Sequence, residues 1–145
     1  MIRAPEAVLA SYSAKRAEFL PADVGFARQR ELFERECDWL GRAPPVIDAD
    51  DVLRNPRATL TALCDAVEIP FFERMLHWPA GRRLTDGAWA PAWYDSVERS
   101  TGFVSPRALP VLADDLKTLA DRLRPHYEHL ARNNLMRRQP DKRGE

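Results

Sequence analysis

The opening residues, MIRAPEAVLASY, constrain the fold more than any other part of the chain. The apolar pair Met1–Ile2 is followed by Arg3 and then by Pro5. A proline suits the first turn of a helix, because its missing N–H is not needed there. Ser11 lies two turns into this helix, which we predict to run to about Phe19. The segment therefore predicts a strand end, an arginine at the corner, and a helix directly after it.

A corner of this kind is suited to binding an anion. The free N–H groups and the dipole of a helix favour negative charge at its N-terminus. Arg3 can donate paired, charge-assisted hydrogen bonds to phosphate oxygens. Ser11 can add a hydroxyl donor if the phosphate lies along the side of the helix. The alternative is an ordinary helix start with a surface arginine.

Composition limits the classes of protein that fit. The chain has 145 residues, a length that suits one domain. It has 22 acidic and 22 basic side chains, and this balanced charge gives no reason to expect nucleic acid as a partner. No apolar stretch approaches the ~18 residues needed to span a bilayer, and the start lacks the apolar core of a secretion signal. Cys37 and Cys64 make no disulfide framework and are expected to be buried thiols. We therefore expect a cytoplasmic protein without a membrane segment.

The rest of the chain is predicted to be mainly helical. We expect a helix over 26–40 and another that begins at Asn55–Pro56, where the apolar positions follow a helical repeat. Val46–Ile47 is strand-like but too short to stand alone. A leucine-rich helix is predicted over about 107–135, packed on its own domain rather than forming a zipper. Pro125 should kink or break this helix.

Two segments leave alternatives open. Asp48, Asp50 and Asp51 could bind a metal, but no histidine or further acid lies nearby in the sequence, so helix capping is the favoured interpretation. Residues 76–103 hold three of the four tryptophans, and such a segment is either a lid over the core or the lining of a pocket. His77 lies within it and could face such a pocket.

Three segments together resemble sulfotransferases. In that family an arginine and a serine eight residues apart bind the 3′-phosphate of the donor, and Arg3 and Ser11 keep this separation. The run DADDVLRNPRATLTALCDAVEIPF is similar to the family's stretch in which a strand ends, a proline-opened helix follows, and Leu-Cys precedes Ile-Pro-Phe. Residues 93–103 are similar to a C-terminal block of bacterial sulfotransferase-like proteins.

The resemblance implies an α/β, P-loop-like sulfotransferase fold, of which residues 1–136 match the C-terminal half. This half is predominantly helical, with one or two short strands. The implied donor is 3′-phosphoadenosine 5′-phosphosulfate, with no metal. In the family a loop with a basic residue and a glycine also binds the donor's 3′-phosphate, and by position this loop points to Arg99 and Gly102. The implied nucleotide-binding residues are therefore Arg3, Ser11, Arg99 and Gly102.

The resemblance also implies that essential parts of the site lie outside this segment. The sequence has no Gly-rich loop with a lysine and a serine or threonine, which would bind the sulfuryl end. The family's catalytic base also belongs to the other half. We therefore expect a chain that is inactive alone in sulfuryl transfer to an unknown acceptor. The alternative is a non-catalytic helical fragment or split subunit that packs on a partner.

Partners and termini follow from the same reasoning. We expect an N-terminal partner chain or self-association, because Ile2 should lie at an open sheet edge and the leucine face over 109–123 should be uncovered. The basic tail, residues 137–145, is predicted to be disordered.

Overall fold

The computed structural model describes residues 1–88, 90, 94–106 and 108–137, so most of the predicted tail lies outside the described residues. The described part is mostly helical, as expected. Its α-helices are α1 (Pro5–Ser13), α2 (Phe26–Leu40), α3 (Ala49–Arg54), α4 (Pro56–Ala66), α5 (Asp95–Glu98) and α6 (Asp114–Ala131). Two 3₁₀ turns, Pro21–Val24 and Glu73–Met75, lie between them.

Local sequence signals account for most helix boundaries. Asn55 caps α4 by accepting a hydrogen bond from the Ala58 N–H at 3.1 Å, which confirms the predicted start at Pro56. Helix α2 has the predicted bounds. Gly25 precedes it with φ 72° and Gly41 ends it with φ 64°, left-handed conformations that glycine adopts without strain.

Helix α1 is shorter than predicted, and the expected extension to Phe19 is wrong. The helix ends at Ser13, where the N–H groups of Lys15 and Arg16 both donate to the Tyr12 carbonyl and form a turn. The Phe19 ring then returns to the helix and lies edge-on to the Tyr12 ring, with centroids 5.0 Å apart. Packing of an aromatic ring therefore outweighs helix propensity in this segment.

Helix α6 starts at Asp114 rather than near residue 107 and continues through Pro125, so the predicted break is wrong. A proline removes one helical hydrogen bond, but packing on both sides of Pro125 holds this helix together. Leu123 and Leu130 are both buried, and Tyr127 lies between them. The domain itself covers most of the leucine face: Leu112 and Leu123 are buried, which confirms packing on the domain. The expected open face is therefore wrong at these positions, whereas Leu109 is 55% exposed.

Among the described residues, short parallel pairings take the place of regular strands. Ile2 donates its N–H to the Ile47 carbonyl at 2.8 Å and accepts from the Ala49 N–H at 2.9 Å. On the other side, Val46 accepts a hydrogen bond from the Leu135 N–H at 2.8 Å. Residues 46–48 are therefore central, and Ile2 has no pairing on its outer side among the described residues.

Two adjoining clusters form the core, and both rest on α6. Helices α1 and α2 each pack against α6, and the half-buried Tyr127 contacts both clusters. Cys64 is buried and Cys37 half-buried, and both are free thiols. The clusters are Ile2, Phe33, Val46, Leu130 and Ala131, and Leu9, Phe26, Leu112, Ala120 and Leu123.

Within the described ranges, no helix has the length and apolar character that a membrane span requires.

Candidate functional site

Arg3 and Ser11 line the same cleft, which has a volume of about 560 Å³. The exposed guanidinium of Arg3 makes no ion pair or hydrogen bond with any residue that the structure describes. The hydroxyl-bearing side chains of Ser96 and Ser105 line the cleft as well. The cleft thus combines one unpaired cation with several hydroxyl groups, a set of donors suited to phosphate oxygens.

The order of residues in the first turns of the chain explains this arrangement. The backbone of Ile2 is fixed by its two hydrogen bonds to the central segment, so Arg3 leaves the sheet at a defined place. On α1, Ala7, Ala10 and Ser11 are spaced by three and four residues and share the face that lines the cleft. The two alanines leave room beside the Ser11 hydroxyl.

The acidic residue at the start of α1 is held away from this cleft. Glu6 forms an ion pair with Arg124 on α6. Burial opposes ionisation of Glu6, but a backbone hydrogen bond and Arg124 outweigh it and hold the pKa of the carboxyl below its usual value. Glu6 therefore stays ionised and ties α1 to α6, and its charge does not line the cleft.

Asp50 is a site residue whose role the sequence did not reveal. It lies in the first turn of α3 and lines the cleft that contains Arg3. Its carboxylate is 3.6 Å from the guanidinium of Arg54, one turn further along the helix. The sequence suggested only capping or a metal site for this residue, because nothing local indicates that α3 faces the corner before α1.

Arg99 and Gly102 lie in a neighbouring cavity of about 480 Å³ instead of this cleft. His77 lines the same cavity, as the sequence suggested it could. Val104 lines both cavities and separates them. The structure thus brings Arg3 and Ser11 together, and it brings Arg99 and Gly102 together, but it places the two pairs in adjacent sites.

Gly102 has a structural reason to be glycine. It pairs with His77 in an antiparallel bridge, beside the hydrogen bond from the Trp78 N–H to the Thr101 carbonyl at 3.1 Å. A Cβ atom on Gly102 would lie 3.2 Å from the Leu76 carbonyl oxygen and 3.4 Å from Nδ1 of His77. This close approach of two backbones favours a residue without a side chain, since a Cβ atom would force its neighbours to shift.

The described part of the aromatic segment packs on itself. The Trp78 indole N–H donates to Oγ of Ser100 at 3.0 Å, and its ring lies edge-on to Phe103 at 5.1 Å. Trp89 and Trp93 lie outside the described residues. Leu76, His77 and residues 99–103 of this segment line the 480 Å³ cavity, which favours the second of the two interpretations, the lining of a pocket.

A buried polar network is linked to the cleft through the backbone of Asp50. Asp48 is 3% exposed; one carboxylate oxygen accepts from the Asp50 N–H at 3.0 Å, and the other accepts from the Tyr127 hydroxyl at 2.5 Å. Burial, together with this bond, raises the pKa of Tyr127 to about 12. Asp51 accepts from the buried Asn134 side chain at 2.6 Å.

This network confirms capping for the aspartate cluster, with Asp48 as the N-cap of α3. The part of the chain that the structure describes contains no group of three side chains placed to bind a metal. Tyr127 and Asn134 are too far along the chain for sequence spacing to have revealed their contacts.

Comparison with known proteins shows two similar relatives, both from Arabidopsis thaliana. Branched-chain-amino-acid aminotransferase-like protein 1 is 43% identical over 111 residues, which cover 76% of this chain and 20% of the relative. Branched-chain-amino-acid aminotransferase-like protein 2 is 39% identical over 115 residues, which cover 74% of this chain and 20% of that relative. The chain thus spans about a fifth of the length of the curated relatives that it matches.

No solved structure gives a significant match to the chain. The family model described as a sulfotransferase domain matches residues 1–132, which include Arg3 and Ser11, the capped helices α3 and α4 and all of α6. The chain belongs to the sulfotransferase domain family.

Proposed function

We propose that this chain forms the nucleotide-binding part of a P-loop-like α/β sulfotransferase, with 3′-phosphoadenosine 5′-phosphosulfate as the donor. The observation that carries the proposal is the placement of Arg3 and Ser11 on one cleft, with the Arg3 guanidinium lacking a partner among the described residues. Membership of the sulfotransferase domain family supports it.

The proposed reaction transfers a sulfuryl group to an acceptor hydroxyl or amine. The acceptor oxygen or nitrogen bonds to sulfur while the bond from sulfur to the 5′-phosphate oxygen breaks, and 3′-phosphoadenosine 5′-phosphate leaves. The proton of the acceptor passes to a base, to which no residue of this chain is assigned. Such a transfer resembles phosphoryl transfer, so an enzyme contributes chiefly by positioning the groups and stabilising anionic oxygens. Arg3 and Ser11 bind the non-reacting 3′-phosphate, and this binding energy orients the sulfuryl end.

The neighbouring cavity extends this proposal. Arg99 and Gly102 line it on the far side of Val104, and its other lining residues include Phe103 and His77. A nucleotide bound at Arg3 would reach Arg99 by passing Val104. We therefore keep Arg99 and Gly102 as nucleotide-binding residues in the proposal, with Arg99 as the residue that contributes charge.

The proposed donor site is only part of an active site. The sequence lacks a Gly-rich loop with lysine and serine or threonine, so no residue of this chain is assigned to the sulfuryl end or to the catalytic base. We expect no sulfuryl transfer by this chain alone. We propose that the rest of the domain comes from another segment or a partner chain.

The names of the relatives do not change this proposal. A transaminase needs a lysine that forms a Schiff base with pyridoxal phosphate inside a dedicated pocket. Lys117 is exposed and pairs with Asp114 at 2.8 Å, and Lys15 is exposed at the turn after α1. Lys142 lies outside the described residues. Neither described lysine lines the cleft or the neighbouring cavity.

Mapping of the bound nucleotide on the isotope-labelled chain tests the proposal. Titration with 3′-phosphoadenosine 5′-phosphate should shift the amide resonances of Arg3, Ser11, Ser96 and Ser105, even at millimolar affinity. An Arg3→Ala variant should lose these shifts, and an Arg42→Ala variant, which changes an exposed arginine outside the cleft, should keep them. Shifts confined to other surfaces, or none at all, would contradict the proposal.

A second candidate function is that of a non-catalytic subunit that packs on a partner. One observation favours it: three large apolar side chains of α2 are exposed, with Trp39 80%, Leu40 41% and Leu32 38% accessible. None of these three side chains lines the cleft or the neighbouring cavity. Self-association that depends on Trp39 would favour this candidate over the nucleotide-binding one.

A further inference from the structure

Asp50 places a negative charge in the cleft that we assign to an anion. It lines the cleft together with Arg3, yet Arg3 forms no ion pair with it or with any other described residue. Arg3 and Asp50 thus line one cleft without pairing with each other, so both side chains are available to a ligand bound there. Arg54, the partner of Asp50 at 3.6 Å, does not line the cleft.

A carboxylate at this position acts differently on different ligands. It repels the charge of a small anion such as inorganic phosphate, whose only hydrogen-bond donors are P–OH groups on the same phosphorus that Arg3 binds. It also accepts hydrogen bonds, so a neutral hydroxyl or amine attached to the phosphate can pair with it. The same residue thus weakens the binding of a free anion and strengthens that of an ester with suitable donors.

We propose that Asp50 determines the selectivity of this cleft for a phosphate monoester carried on a group with neutral hydrogen-bond donors, such as a ribose 3′-phosphate, over free inorganic phosphate. Arg3 binds the phosphate in this arrangement, and Asp50 accepts from a hydroxyl or amine of the attached group. This inference rests on the proposed function, because it takes the Arg3 cleft as the phosphate site.

Parallel titrations of the chain with adenosine 3′-phosphate and with inorganic phosphate test the inference. In Asp50→Asn the affinity for inorganic phosphate should rise about threefold to tenfold, the effect of one unit charge on a dianion in a solvated cleft. The affinity for adenosine 3′-phosphate should rise less or fall. The affinity ratio, defined as the affinity for adenosine 3′-phosphate divided by that for inorganic phosphate, should therefore decrease. Asp65→Asn, at an exposed position outside the cleft, is the matched control and should leave the ratio unchanged.

Arg54→Ala gives a change in the opposite direction. Removing Arg54 takes away the cation beside Asp50 without altering a residue that lines the cleft. The affinity for inorganic phosphate should therefore fall, and the preference for adenosine 3′-phosphate should increase. This second variant keeps the test decisive if Asp50→Asn unfolds α3.

The outcomes separate the two proposals. Loss of binding of both ligands in Arg3→Ala would support the phosphate site. If Asp50→Asn and Arg54→Ala then leave the affinity ratio unchanged, the role proposed for Asp50 is contradicted and the phosphate site stands. If Arg3→Ala has no effect, or neither ligand binds, the proposed function fails and the inference fails with it. A lower ratio in Asp50→Asn with a higher ratio in Arg54→Ala supports the inference.

Discussion

Single side chains near the cleft have roles that differ with their partners. Asp48 is buried and satisfied by Tyr127 and by the start of α3, whereas Asp50 lines a solvent-accessible cleft and Arg3 has no partner among the described residues. The sequence predicted an anion corner at Arg3 and Ser11, because Pro5 marks the start of the helix and fixes where both residues lie relative to it. It could not indicate Asp50, because the approach of α3 to this corner depends on the pairing of Ile2 with residues 46–48.

The hydrogen bond from Tyr127 to Asp48 gives the first prediction. Tyr127→Phe leaves a buried carboxylate oxygen without this donor, which should lower the free energy of unfolding by about 1–3 kcal/mol. Urea denaturation measures the change. Tyr94→Phe is the control, because Tyr94 is 39% exposed and should change stability little. Equal stability of Tyr127→Phe and the parent chain would show that the contact contributes nothing.

The same contact predicts a pH dependence. The pKa of Tyr127 is raised to about 12 in the folded chain, above its ordinary value of 10.0. The folded state holds this proton more tightly, so the stabilisation is complete below the unfolded pKa and is lost as pH rises through the folded one. The difference in unfolding free energy between the parent chain and Tyr127→Phe should therefore shrink above pH 10. A difference that stays constant up to pH 12 would contradict this.

At the scale of elements, α6 organises the molecule because α1 and α2 both pack on it. The helical repeats predicted α2 and the start of α4 correctly, since caps and apolar spacing there agree. They failed at the end of α1 and at Pro125, because contacts outside the helical repeat decide where α1 ends and whether α6 continues through its proline. Phe19 returns to Tyr12, and the buried Leu123 and Leu130 hold α6 on both sides of its proline.

Substitution of Pro125 is therefore expected to raise the free energy of unfolding, whereas most substitutions lower it. It is exposed within α6, and a proline in a helix interior costs up to about 3 kcal/mol relative to alanine. Pro125→Ala should raise the free energy of unfolding by about 1–3 kcal/mol, because it restores a helical N–H. Thermal and urea unfolding measure this. Pro21→Ala, at the first position of a 3₁₀ turn, should give no such gain, and a loss of stability in Pro125→Ala would refute the account of α6.

At the scale of the whole molecule, the sequence predicted the family and a mainly helical chain but misplaced the uncovered surface. The leucine face over 109–123 was expected to be open, yet Leu112 and Leu123 are buried against residues of α1 and α2, and only Leu109 of these three is exposed. Amphipathic spacing shows that a helix has an apolar face; it does not show which element covers that face. The exposed apolar residues instead include Trp39 on α2.

Association of the chain should therefore depend on Trp39. Sedimentation velocity over a range of concentrations should show self-association, and Trp39→Lys should shift the population towards monomer by adding a charge to the contact. Leu84→Lys is the control, because Leu84 is fully exposed and lies in a loop outside α2. A compact monomer at every concentration would remove the support for the subunit alternative.

The central claim is that Arg3 and Ser11 bind a 3′-phosphate, and a comparison of two nucleotides tests it most directly. The parent chain should bind 3′-phosphoadenosine 5′-phosphate more tightly than adenosine 5′-phosphate, because only the former carries the 3′-group. Loss of one charge-assisted contact costs about 1.5–3 kcal/mol, roughly tenfold or more in affinity, so Arg3→Ala should remove most of this preference. Ser11→Ala should weaken it less, and Arg42→Ala should leave it unchanged. Equal affinity of the parent chain for the two nucleotides, or an unchanged preference in Arg3→Ala, would contradict the account.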